Sequence, residues 1–159
     1  MPGGADGQLL RVDLGSGRCW REPLSSQLLQ DSIGGRGLGP ALLQEFAGLD
    51  PLEPAMPLVF TSGPLCTAPL PMTTRCVLTG RSPRTGTIFS CSSGGAFARH
   101  LRGAGLMALV LQGAAVGPSL LSITPRSAEL LPAGGLWGRG IEQTLSQLKI
   151  GRAAGRERV

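Results

Sequence analysis

At 159 residues and 16.4 kDa the chain has the size of one domain, large enough to bury about two thirds of the surface its unfolded form would expose. Hydrophobic residues make up 42% but aromatics only 4%, with 25 Gly and 13 Pro and no Tyr, so the expected core is Leu, Val, Ile and Ala held between sharp turns. The net charge of +5 predicts attraction to an anion. Scattered arginines without interleaved aromatics argue against a nucleic-acid surface, and the most apolar run, Leu106 to Val116, is too short for a bilayer, which needs about 20 such residues. No membrane or nucleic-acid partner is expected.

In chain order, "QLLRVDLGSGRCWRE" alternates apolar and polar residues on both sides of Gly-Ser-Gly and predicts a hairpin. "SSQLLQDSIGG" predicts a serine-capped short helix, and "LGPALLQEFAGLDP" a second with Pro40 near its first turn. "PLVFTSGP" reads as a strand, followed by a proline-rich extended loop to Arg75 and a further strand in "RCVLTGRSP". "GTIFSCS" is a third such strand, leading through Gly94-Gly95 into a helix over Ala96 to Arg102. A buried strand, an alternating strand and a short partner follow. The last helix, "GRGIEQTLSQLK", carries Ile141, Leu145 and Leu148 on one face. Strands outnumber helices and are joined mostly by tight turns. The fold class is therefore α+β, with largely antiparallel or mixed sheets in a layered sandwich and short helices outside. "GGRGLGPALL" fails the dinucleotide-binding template in every register.

The four cysteines, Cys19, Cys66, Cys76 and Cys91, lack metal-ligand spacing and are expected to serve as small core hydrophobes. The N-terminal MPGGADG carries no secretory pattern, so a reducing cytoplasm is the expected compartment. In "SCSSGGAFARHL" a glycine pair precedes a helix. Gly94 and Gly95 expose main-chain N–H groups to an incoming anion, and Ser92 and Ser93 add hydroxyls; an ordinary capped turn would have the same sequence. Arg75 stands where a loop meets a strand, a position suited to fixing an anion. His100 has no carboxylate or serine nearby in sequence to form a triad and is assigned to the helix surface. No hydrolase, metalloprotease or P-loop pattern occurs. The residues describe a binding domain without catalytic groups of its own.

The segments "LLRVDLGSG", "IGGRGLGPALL", "DPLEPAMPLVFTSGPL", "APLPMTTRCVLTGRSPRTGTIFSCSSGGAFARHLRGAGLMALVLQGAA" and "LLPAGGLWGRGIEQT" together resemble the N-terminal domain of the tungsten-containing aldehyde ferredoxin oxidoreductases. That resemblance implies a platform for tungsten or molybdenum held by two pyranopterin dithiolenes, with magnesium bridging their phosphates. Gly94 and its neighbours would meet pterin phosphate through main-chain groups. Arg75 corresponds to the family's arginine between a pterin and the iron–sulfur cluster. Ser92 stands where the family often has Asn, whose main-chain carbonyl helps hold the magnesium. The complete enzyme oxidises an aldehyde to a carboxylic acid and passes electrons through a 4Fe-4S cluster to ferredoxin. The cluster ligands and substrate cavity belong to later domains or a partner subunit.

The ending "IGRAAGRERV" resembles two family segments: one soon after the last helix, and a later phosphate loop that would involve Arg152, Ala153, Gly155 and Arg156. Residues 1–150 are thus expected to form the platform, and residues 151–159 a basic tail or shortened second pterin loop. The alternative is a degenerate or isolated domain that folds without cofactor and acts as an interaction module.

Overall fold

The computed structural model describes residues 7–152. Eight strands and four helices occur in the order β1 (Gln8–Asp13), β2 (Arg18–Pro23), α1 (Ser26–Ser32), α2 (Gly35–Leu43), β3 (Leu58–Ser62), β4 (Cys76–Arg81), β5 (Ile88–Ser93), α3 (Phe97–Gly103), β6 (Leu106–Gln112), β7 (Ser119–Ile123), β8 (Ala128–Pro132) and α4 (Ile141–Arg152). Six strands form one mixed sheet in the order β2-β1-β6-β3-β4-β5, while β7 and β8 form a separate hairpin. Strands β1 and β6 are parallel; every other neighbouring pair is antiparallel. The expected α+β sandwich is therefore present.

The sheet is the middle of three layers. On one face, Leu38, Leu42 and Leu43 of α2 pack against Leu9, Val59, Met107 and Val110. On the other, Leu101 of α3 and Ala104 at its end, with Ile123 of β7, pack against Leu10, Val12, Leu106 and Leu109. Strand β6 is buried from Leu106 through Val110 because both faces are covered, which is why its sequence runs apolar without alternation. Each such side chain contributes about 1.5–3 kcal/mol on leaving water.

Helix α2 begins earlier than its proline suggests. Gly35 at φ +52 opens the first turn and Pro40 lies in the interior, where its missing N–H leaves a carbonyl one turn back without its helical partner. The helix sits close on the sheet because Gly39 has no side chain: a Cβ there would lie 2.7 Å from Thr79 Cβ. Arg11 on β1 pairs with Glu22 of β2 at 2.9 Å and with Glu45 at 2.7 Å, tying the turn after α2 to the sheet.

Two further expectations need correction. The cysteines are not uniformly core residues: Cys66 and Cys76 are buried and Cys19 half-buried, but Cys91 is exposed, on an edge strand with five of its six residues exposed. The loop between β3 and β4 is not extended throughout, since Pro64–Thr67 forms a 3-10 turn. The apolar stripe of α4 is solvent-facing at Ile141 and Leu145.

Replacing Gly39 with Val is expected to destabilise the fold by about 3 kcal/mol, with part of the loss recovered when Thr79→Ala is added; additive losses in denaturant titrations would contradict the proposed clash. Burial, with smaller effects of Cys66 and Cys91, pushes the Cys76 thiol up to about 11, so at neutral pH it is protonated and slow to react. A thiol reagent is expected to label Cys91 first in the native chain, and Cys66 and Cys76 only on unfolding. A fast phase that persists in Cys91→Ser would contradict this.

Candidate functional site: one end of the sheet

Strand register determines what meets at the sheet ends. Ser62 pairs with Cys76, and Cys76 with Ser93. The next residues outward on these three neighbouring strands are Gly63, Arg75 and Gly94, so two of the sequence-predicted site residues lie at the same end of adjacent strands. Ser93 closes β5 and Ser92 precedes it, paired with Val77. Arg75, Ser92, Ser93, Gly94 and Gly95 are all exposed. The guanidinium of Arg75 makes no ion pair or hydrogen bond among the described residues.

The glycine turn is open. A Cβ on Gly94 or Gly95 would meet nothing within 4 Å, and Gly95 has φ +99. Among the described residues nothing accepts a hydrogen bond from the N–H groups of Gly94, Gly95 or Ala96. Nor does a side chain cap α3, whose N-cap is Ala96, so the serines do not make the ordinary capped turn their sequence allows. The Ser93 hydroxyl donates instead to Gly94 O at 3.3 Å. Amides without an acceptor, on the strand end neighbouring that of an arginine whose guanidinium has no partner among the described residues, can receive an anion.

The turn before α2 reaches the same end. A Cβ on Gly34 would lie 2.8 Å from Ser62 O and 3.4 Å from Gly63 Cα, while the buried Thr61 hydroxyl donates to Gly35 O at 2.8 Å. The "IGGRG" glycines thus permit close packing against the end of β3. The charge of this region is one-sided, a signal that whole-chain composition hides. From Pro54 to Ala128 the chain has no Asp or Glu, yet it carries Arg75, Arg81, Arg84, Arg99, Arg102 and Arg126, so β3 to β7 are biased toward anions.

The remaining candidates lie elsewhere. Arg152 ends α4, and Ala153, Gly155 and Arg156 fall outside the described residues. His100 is in the last turn of α3 and half-buried. Two recesses, of about 350 and 290 Å³, open at the opposite end of the sheet, near Leu14 and Val116 in one case and Phe46 and Ile88 in the other; neither contains a predicted site residue. Among the described residues no group of three His, Cys, Asp or Glu could hold a metal ion, and no helix is long and apolar enough to cross a membrane.

Comparison with known proteins agrees with the architecture. The tungsten-containing aldehyde ferredoxin oxidoreductase of Pyrococcus horikoshii is 33% identical over 145 residues, 90% of this chain and 24% of the relative. The Pyrococcus furiosus protein of the same name is 32% identical over 155 residues, 96% of this chain and 25% of the relative. An aliphatic sulfonate oxidoreductase, WOR-like subunit, of P. furiosus is 30% identical over 85% of this chain and 22% of its own length. In solved structures, the active-site complex BamBC of benzoyl coenzyme A reductase with 1,5-dienoyl-CoA matches with a TM-score of 0.86 and 25% identity, covering 97% of this chain and 24% of that one. The chain thus spans about a quarter of the length of these relatives. The family model for the aldehyde ferredoxin oxidoreductase N-terminal domain matches residues 9–157, and the chain belongs to that family.

Proposed function

We propose that this chain is the cofactor platform of a tungsten (or molybdenum) bis-pyranopterin oxidoreductase, holding pterin phosphate at the Gly94-Gly95 turn. The observation that carries the proposal is a run of three amides, at Gly94, Gly95 and Ala96, with no acceptor among the described residues, on a turn where a Cβ at either glycine would meet nothing within 4 Å. That arrangement fits a phosphate, which needs several donors at close approach and tolerates no intervening side chain.

In this reading the Gly94, Gly95 and Ala96 amides bind phosphate oxygens. Arg75 neutralises their charge across the sheet end, and the Ser92 and Ser93 hydroxyls add neutral contacts. The Ser92 carbonyl is the proposed magnesium ligand. Arg152, Ala153, Gly155 and Arg156 are the proposed second phosphate loop. Residues 1–150 form the platform. When bound, the metal and its dithiolenes supply the two-electron oxidation of an aldehyde to a carboxylic acid, with a 4Fe-4S cluster and ferredoxin as the exit path in the complete enzyme. This chain contributes binding and charge neutralisation, while the cluster ligands and substrate cavity come from further domains or a partner subunit, in the cytoplasm.

The names of the relatives support a shared cofactor role rather than substrate choice. One is an aldehyde enzyme, one a sulfonate enzyme and one a benzoyl coenzyme A reductase, yet all share this domain. What is common to different substrates is best sought in the redox centre.

Gly94 is not held at positive φ and its Cβ position is open, so Gly94→Val leaves the fold intact and blocks only approach to the main chain. Chain produced in a host that makes tungstopterin is expected to carry tungsten and pterin, with Gly94→Val reducing both at least about tenfold, an amount that corresponds to losing about 1.4 kcal/mol of binding. Equal metal and pterin content in the two proteins, at equal thermal midpoints, would sink the assignment. Unaltered chain free of both would favour the cofactor-free interaction module.

A further inference from the structure

Arg75 follows a loop with little regular structure. After the 3-10 turn at Pro64–Thr67 the chain passes through Met72 at φ +61, a left-handed conformation for a residue other than glycine, before β4 begins at Cys76. Two side-chain bonds hold this stretch. The Thr73 hydroxyl donates to Leu70 O at 3.0 Å. The Cys66 thiol faces Thr73 O at 3.1 Å and Arg75 O at 3.7 Å, so its one proton is shared between two carbonyls immediately before the strand. Cys66 is 1% exposed and packs with Cys76 and with Ala98 of α3. A single buried side chain therefore touches the segment that presents Arg75 and the helix that follows the Gly94-Gly95 turn.

We propose that Cys66 is the positioning residue for Arg75, its thiol fixing the main chain from which the guanidinium reaches the glycine turn. The inference rests on the phosphate-binding reading given above. It assigns Cys66 no contact with ligand and no redox chemistry, only a weak donor at a place where no strand or helix bond orders the chain. Serine keeps a donor of nearly the same size; alanine removes it and leaves the carbonyls of Thr73 and Arg75 without that partner.

The test uses the full chain titrated with inorganic pyrophosphate, in the wild type and in Cys66→Ala, Cys66→Ser, Arg75→Ala, Gly94→Val and Cys66→Ala/Arg75→Ala. Cys66→Ala is expected to weaken binding roughly fivefold, the scale of one hydrogen bond, and Cys66→Ser to stay within about twofold of wild type. In the Arg75→Ala background the Cys66 substitution is expected to have no further effect, because a residue acting through Arg75 has nothing left to position. Should Cys66→Ala cost the same factor in both backgrounds, or should a folded Cys66→Ser bind as weakly as the alanine variant, positioning is overturned while the phosphate site stands. If neither Arg75→Ala nor Gly94→Val changes pyrophosphate affinity, or the unaltered chain does not bind it, the site reading fails and this inference with it.

Discussion

Strand β6 has no face that water reaches between Leu106 and Val110, and the rest of the molecule is arranged to keep it so. It needs a strand on each side, supplied by β1 in parallel and β3 antiparallel. It needs a layer above and a layer below, supplied by α2 and by α3 with the β7–β8 hairpin. The parallel pairing with β1 joins segments far apart in sequence, so the chain between them must leave and return. That excursion contains β2, α1, α2, β3, β4, β5 and α3, and it is where the candidate site lies.

Because β3 is held against β6, β4 against β3 and β5 against β4, the end of one strand determines the height of the next. Arg75 and Gly94 arrive at the same level through backbone pairing, before any side-chain contact between them. This division suits a binding platform: regular sheet sets the coarse geometry, while short side chains such as Thr61 and Cys66 anchor the connecting turns from beneath. The helix layer contributes at the same end, since the glycines before α2 let its turn lie flat against Ser62 and Gly63.

Much of this architecture was legible in the sequence because burial writes patterns. The apolar run of β6, the alternation in β1 and the glycine pair before α3 each identified their elements. What sequence did not convey was neighbourhood. Cys91 looked like a core residue because its strand looked like any other, and only the sheet order makes β5 an edge. Pro40 suggested a helix start, but the positive φ at Gly34 and Gly35 moved the start upstream. The proposed site residues Arg75, Ser92, Ser93, Gly94 and Gly95 were named from resemblance and turn chemistry, yet the approach of Arg75 to Gly94 follows from a register no local pattern encodes. Cys66 and Thr61 carried no signal, since one thiol or hydroxyl aimed at a carbonyl resembles any other small buried residue. The acid-free stretch from Pro54 to Ala128 is plain in the sequence, and it shows as a local excess of positive charge only when acids and bases are summed by segment instead of over the whole chain.

Strand β5 ends the sheet with its outer row of main-chain groups unpaired and with five of its six residues exposed, Ile88 and Phe89 among them. Such a border is a template for sheet growth. At high concentration in vitro the domain therefore has an intrinsic route to fibrillar association, countered along the strand itself by nothing stronger than serine hydroxyls.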